Sequence, residues 1–141
     1  MHRPTVLLAD DHVVFTDGIV RILKDRFDVV GTVADGSALL EAASRLHPDV
    51  IVTDISMPGV SGLQALRQLK AARPDVKVIV LTMHVDGAIA TEAMRAGASG
   101  FLVKQGAGDE LITAINEVLN GRTFLTPAVT GDVIARMSDP A

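Results

Sequence analysis

Five short apolar runs, each followed by a stretch of helical periodicity, constrain this chain more than any other feature. The runs occupy residues 6–9, 29–33, 50–53, 76–81 and 101–103 and are almost entirely aliphatic or β-branched. A strand wetted on one side alternates apolar and polar residues, so an unbroken apolar run is what a strand covered on both faces requires. Between the runs, apolar residues recur at helical spacing. They are Phe15, Ile19, Ile22 and Leu23; then Leu39, Leu40, Ala43 and Leu46; then Leu63, Leu66 and Leu69; and finally Leu111, Ile112, Ile115, Val118 and Leu119. Each set forms a stripe that faces one side of a sheet. Residues 86–96 carry a weaker stripe of Ile89, Ala93 and Met94, and the expectation there is a helix with an exposed face available for signalling. Asp35 and Asp86 are placed as helix N-caps, and Ser61 with Gln64 three residues on as a capping box. Pro48, Pro74 and the Gly97/Gly100 pair stop helices before strands, while Asp109 and Glu110 favour the positive end of the last of these helices. Consecutive strand–helix units of this kind give an α/β fold: a parallel sheet with helices on both faces.

The core must be aliphatic, because hydrophobic residues make up 48% of the 141 residues and aromatic ones only 3%. With no Cys in the chain, a disulfide scaffold, a thiolate zinc site and a cysteine nucleophile are all excluded. The 13 basic and 17 acidic residues give a net charge of −4, which argues against a dedicated nucleic-acid binder. No run is long enough to cross a bilayer and the first residues lack a signal-peptide pattern, so a soluble, cytoplasmic protein is expected. The pattern changes after Gly121. Thr126-Pro127 reads as a cap and first turn, followed by Val129, Val133, Ile134 and Met137, with Gly131 weakening the helix. The expected division is a domain over residues 1–121 and a short C-terminal helix or linker over residues 122–141.

In open parallel α/β sheets, ligands bind beyond the carboxyl ends of the strands. The residues there are Asp10 and Asp11 after the first run, Asp54 after the third, Thr82 after the fourth and Lys104 after the fifth. Two carboxylates about 5 Å apart repel by roughly 3 kcal/mol at an effective dielectric of about 20. A hard cation removes that repulsion, and Mg²⁺ favours one or two carboxylates with water and a phosphoryl oxygen. Lys104 adds a fixed positive charge and Thr82 a hydrogen-bond donor, a set suited to charge on a transferring phosphoryl group. Asp54, central among them, is the candidate nucleophile, because carboxylates form aspartyl phosphates.

These residues resemble the receiver domain of bacterial two-component response regulators, in the LuxR/NarL-type subfamily that usually carries a C-terminal helix-turn-helix. The matching segments are Asp10-Asp11; residues 54–62, reading Asp-Ile-Ser-Met-Pro-Gly-Val-Ser-Gly; Leu81-Thr82; and residues 100–104, reading Gly-Phe-Leu-Val-Lys. The likeness extends over about residues 4–121. It implies a flavodoxin-like, doubly wound sheet of five parallel strands in the order 2-1-3-4-5. It also implies that Asp54 accepts phosphate from a phosphohistidine on a sensor histidine kinase. Asp11 and Asp54 would ligate Mg²⁺ together with the backbone carbonyl of Ser56, and Asp10 would hold a metal-bound water. Lys104 would pair with the phosphoryl oxygens, and Thr82 would hydrogen-bond one of them. Phe101 stands at the switch-aromatic position, where the ring is expected to turn inward as Thr82 moves. That motion would change the surface of the fourth helix, fifth strand and fifth helix. On this reading the chain is not a turnover enzyme; it promotes its own phosphorylation and dephosphorylation. A phosphorylation-linked homodimer is expected. DNA would be reached only through a C-terminal domain that this chain does not contain, and membranes not at all. Gln105 departs from the Pro that many receivers carry after the Lys, and Phe101 has no hydroxyl to fix an outward state. Met83 is larger than the family's usual Ala or Ser and is expected to slow hydrolysis by narrowing access, and His84 is a second candidate for tuning the attacking water.

Plainer readings exist for each residue. Asp10 and Asp11 are placed as well for capping the first helix, Thr82 is an ordinary β-branched strand residue, and Lys104 a surface lysine. His12 is expected to stay outside any ligand set, because no second His or Cys stands at ligand spacing. His2 and His47 are expected to be exposed. Arg67, Lys70, Arg73 and Lys77 read as a solvated helix face, and Gly106-Ala107-Gly108 lacks the third Gly of a dinucleotide loop. Two other functions compete: a haloacid-dehalogenase-like phosphohydrolase, and an unphosphorylated interaction module on the same fold. The first needs a second Asp two residues after the nucleophile, where this chain has Ser56.

Overall fold

The structure is a computed structural model describing residues 3–83, 86–105 and 107–138. Its elements run β1 (Thr5–Ala9), α1 (Val13–Leu23), β2 (Asp28–Val33), α2 (Gly36–Leu46), β3 (Val50–Asp54), α3 (Gly62–Ala72), β4 (Lys77–Thr82), α4 (Gly87–Arg95), β5 (Gly100–Val103), α5 (Ala107–Leu119), β6 (Phe124–Leu125) and α6 (Pro127–Met137). All strands are parallel, in the order β2-β1-β3-β4-β5-β6. The five expected strands and their order are present. The two-residue β6, which the sequence reading did not include, lies beside β5.

Strand residues alternate between two cores, as the period of two demands. Val6, Leu8, Val50, Val52, Ile79, Leu81 and Leu102 pack against α1 and α5 through Ile19, Leu23, Leu111, Ile115 and Val118. Leu7, Ala9, Ile51, Val78, Val80 and Phe101 face the other side, against Leu39 and Ala43 of α2 and Leu66 and Leu69 of α3, with Ala90 and Ala93 of α4. The central strand β3 is buried throughout. β2 is only half-buried despite its apolar run, because it is the free edge of the sheet.

The caps stand where expected. Asp35 accepts from Ala38 N–H, Asp86 accepts from the N–H groups of Ala88 and Ile89, and Ser61 and Gln64 form both halves of a capping box. α2 ends on His47, held in the left-handed region at φ 49° just before Pro48. Neither Asp10 nor Asp11 caps α1: its N-cap is His12, without a side-chain hydrogen bond.

The face of α4 is the main departure from the sequence reading. It is not left open for signalling, because α6 covers it. Val129 and Val133 are buried in the same core as Ala90, Ala93 and Phe101, while Ile134 and Met137 remain exposed. The small residues of α4 leave room for this second helix, which explains the weak apolar stripe. At the N-terminus of α4 the two helices approach closely at Gly87, where a Cβ would displace the Asp132 carboxylate, 1.7 Å away at Oδ2. At the other end Arg95 Nη2 donates to the carbonyl of Arg136 at 3.0 Å.

Candidate functional site

Parallel register assembles the site. Ala9 lies opposite Thr53, Asp54 opposite Leu81, and Thr82 opposite Val103, so Asp10, Asp54, Thr82 and Lys104 emerge side by side at the carboxyl edge. All four are buried. Lys104 Nζ stands 2.6 Å from Asp10 Oδ2 and 2.9 Å from Asp54 Oδ2, with the Phe15 ring centroid 4.9 Å away. A lysine that leaves a buried strand into low dielectric needs such partners, and here it has two. The other oxygen of Asp54, Oδ1, accepts the Ser56 N–H at 3.1 Å, so the turn after β3 orients the carboxylate. Gly62 keeps that turn tight: a Cβ on it would lie 2.1 Å from the Asp54 carbonyl oxygen.

Asp11 lies at the exposed mouth of the cluster. Met83, directly after Thr82, is exposed beside the site, and His84 lies outside the described residues. Phe101 is fully buried and packs in the core that includes Val129 and Val133. The ring of Phe101 lies inward, in the core between the sheet and α6.

His12 stands close to all three carboxylates of the cluster. Its Nδ1 lies 2.9 Å from Asp10 Oδ1, 3.4 Å from Asp11 Oδ1 and 3.7 Å from Asp54 Oδ2. The same nitrogen is 2.9 Å from Lys104 Nζ. Of the carboxylates around it, Asp10 and Asp11 precede it directly in sequence, and Asp54 is brought in from β3. The usable signal was position: His12 directly follows the acidic pair at the start of α1.

The donor set fits a divalent cation. Three carboxylates against one ammonium leave a formal charge of −2, and one ligand atom from each of Asp10, Asp11, His12 and Asp54 lies within 4.8 Å of the others. An octahedral ion with bonds of about 2.1 Å separates adjacent donors by about 3.0 Å and opposite donors by about 4.2 Å, so this spacing suits a Mg²⁺-sized ion. A larger concavity of about 390 Å³ between α2 and α3, near His47 and Arg73, lies at the opposite end of the sheet and holds none of these groups.

The family model for the response regulator receiver domain matches residues 6–116. The transcriptional regulatory protein DegU of Brevibacillus brevis is 40% identical over 131 residues, covering 92% of this chain and 56% of DegU. The response regulator GacA of Pseudomonas aeruginosa is 36% identical over 137 residues, covering 96% of this chain and 64% of GacA. The chain thus spans about three fifths of the length of these relatives. Among solved structures, a LuxR-family two-component response regulator from Aurantimonas superposes with a TM-score of 0.90 at 28% identity, covering 97% of this chain and 99% of that one. The isolated receiver domain of RcsB from Salmonella enterica, solved with the phosphomimetic BeF₃⁻, superposes with a TM-score of 0.83 at 31% identity, covering 92% of this chain and 97% of that one. Strand order, the acidic edge with its lysine and these matches agree: the chain belongs to the response regulator receiver domain family.

Proposed function

We propose that this domain is a phosphorylation-dependent signalling switch whose phosphoacceptor is Asp54. The observation that carries the reading is the buried pairing of Asp54 with Lys104 beside Asp10 at one strand edge. The donor is a phosphohistidine on a sensor histidine kinase. An Asp54 carboxylate oxygen attacks phosphorus, the new O–P bond replaces the donor's N–P bond, and the released imidazole takes up a proton. Lys104 then exchanges part of its pairing with Asp54 for a phosphoryl oxygen, and the Thr82 hydroxyl donates to another. Both groups stabilise negative charge where it accumulates. Asp11, Asp54 and the Ser56 carbonyl would hold Mg²⁺ directly, with Asp10 on a metal-bound water. When bound, the cation neutralises charge between carboxylate and phosphoryl oxygens.

Output runs through β5. Phe101 pairs with Leu125 of β6, the Thr126 N–H donates to the Phe101 carbonyl at 3.0 Å, and the Val103 N–H donates to Thr126 Oγ1 at 3.2 Å. The strand that delivers Lys104 to the site is therefore bonded to the start of α6. Residues 122–138 act as the connector to an output, which in this family is transcription through a DNA-binding domain, with homodimerisation as a second readout of the phosphorylated state. A chain acting this way works in the cytoplasm; among the described residues no helix is long and apolar enough to cross a membrane. The phosphohydrolase reading lacks its general acid, because position 56 offers a seryl side chain rather than a carboxylate.

Incubation with Mg²⁺ and a small phosphodonor, followed by intact mass measurement, tests the proposal. One phosphate-mass adduct per chain is expected in the parent, none in Asp54→Asn, and none when the cation is chelated beforehand. Sustained turnover of phosphomonoesters, or an adduct that survives Asp54→Asn, overturns it.

A further inference from the structure

The concavity between the C-terminal ends of α2 and α3 plays no part in the switch, and it combines features that plain packing does not need. Its volume of about 390 Å³ is that of a compact small-molecule site. The floor is apolar: Ile51 of β3, Leu69 of α3 and Val76, directly before β4, are all buried. The space exists because the facing helices carry alanine there, Ala43 on α2 and Ala72 on α3. Arg73, the C-cap of α3, stands in the wall with its Nη1 buried and without a hydrogen-bond partner. Its backbone is fixed on both sides, since the Arg73 N–H donates to the Leu69 carbonyl at 2.8 Å and the Arg73 carbonyl accepts the Val76 N–H at 3.0 Å. The nearby carbonyls of Pro74 and Val76 are engaged by Lys70 Nζ at 2.6 and 3.0 Å, so this loop satisfies the lysine rather than the arginine.

We infer that this concavity is a binding site for a small organic carboxylate with an apolar body, and that Arg73 anchors the anion. A guanidinium is always charged, and a buried N–H without an acceptor costs more than an ordinary hydrogen bond gains. Water would satisfy that N–H but leave the charge beside an apolar wall. A carboxylate supplies both the acceptor and the countercharge, and its two oxygens match the planar fork of the guanidinium. Arg73 is the one residue of fixed charge among those lining the concavity, which suits a monoanion; a phosphate dianion would call for further cations. The other polar lining residues, Ser44, His47 and Gln68, are exposed at the rim, so the rest of the ligand meets the apolar floor. Arg73 itself is half-buried, which leaves a ligand a way to it from the rim.

The inference does not depend on the phosphoacceptor role of Asp54, which lies at the other end of the sheet. Hexanoate serves as the probe and hexanol as its neutral counterpart, each titrated into the full chain while amide chemical shifts are followed by nuclear magnetic resonance. Saturable shifts centred on residues 40–51 and 68–76 are expected with hexanoate. Hexanol should bind about tenfold more weakly, the scale of one charge-assisted hydrogen bond. Arg73→Gln should lose about the same factor for hexanoate and keep its affinity for hexanol. Ala72→Leu, a longer side chain at an exposed position in the wall, should fill the space and abolish both titrations. Inorganic phosphate should not displace hexanoate. Equal affinity of the parent for acid and alcohol would mark an apolar crevice without an anion subsite and overturns the inference. Hexanoate binding that is unchanged in Arg73→Gln, displacement by phosphate, or the lack of any saturable shift overturns it as well. The comparison of acid with alcohol uses the parent alone, so a variant that fails to fold does not remove the test.

Discussion

Replacing Lys104 by Met removes the ammonium that bridges two buried carboxylates while keeping most of the apolar stem beside Phe15. The magnitude follows from the distances. At 2.6 and 2.9 Å, each ion pair is worth about 6 kcal/mol of gross attraction at an effective dielectric of about 20. Most of that is offset by the desolvation of the three groups, so the net effect is far smaller. Removing one member of a buried pair nevertheless leaves uncompensated charge and costs about 3–5 kcal/mol. A chain of 141 residues loses roughly 3 °C of melting temperature per kcal/mol, so a drop of about 10–15 °C is expected without divalent cation. The variant has a second signature. With the ammonium gone, a divalent ion becomes the principal neutralising charge, so millimolar Mg²⁺ should raise the melting temperature of Lys104→Met by more than it raises that of the parent. Scanning calorimetry on both proteins with and without Mg²⁺ gives all four values. A melting temperature within about 2 °C of the parent, or equal Mg²⁺ increments in the two proteins, would refute the claim that Lys104 balances the acidic edge.

Gly62→Ala places a Cβ 2.1 Å from the Asp54 carbonyl oxygen and 2.7 Å from Ile55 Cα, both backbone atoms that cannot rotate away. It should destabilise by about 1–3 kcal/mol in urea melts and slow phosphorylation of Asp54, since the displaced turn carries the acceptor. Gly87→Ala brings a Cβ to 1.7 Å from Asp132 Oδ2, so the carboxylate must swing away from its Arg136 pair and amide exchange in α6 should speed up modestly. Asp132→Ala in the same chain should restore protection, and additive rather than compensating effects would show that this contact does not seat the helix. Met83→Ala clears an exposed side chain next to Thr82 and should shorten the lifetime of the acyl phosphate; an unchanged decay rate would remove Met83 from the access route.

What the sequence revealed, and what it hid, divides along physical lines. Strands β1, β3, β4 and β5 were legible because burial on both faces leaves an unbroken aliphatic run. The site residues were legible because parallel strands deliver whatever follows them to one edge. β6 was hidden: Phe124 and Leu125 are too few residues to display a period. The partner of α4 was hidden for a different reason. Helix stripes report how much surface is covered, and Ala90 and Ala93 cover little because Val129 and Val133 from α6 fill the space. The surroundings of His12 were legible in part, since Asp10 and Asp11 precede it in sequence while Asp54 comes from β3. The contact of His12 with Lys104 spans 92 residues of sequence, and only the sheet register creates it.

The location of Phe101 limits how the domain transmits a signal. Its ring has no exposed surface and packs in one core with Val129 and Val133 of α6. α6 covers this face of the core. Its docking buries two valines, worth about 1.5–3 kcal/mol each before the cost of ordering the helix, together with the bond from Arg95 Nη2 to the Arg136 carbonyl. Inverting a two-state population from strongly docked to strongly released takes a differential of about 5.5 kcal/mol. The gross burial of the two valines, about 3–6 kcal/mol before the ordering cost, is of the same order as that differential. The path is also short. Lys104 directly follows β5, and the bonds from Thr126 N–H to the Phe101 carbonyl and from Val103 N–H to Thr126 Oγ1 mean that a shift of the strand end acts on the start of α6 with no intervening element.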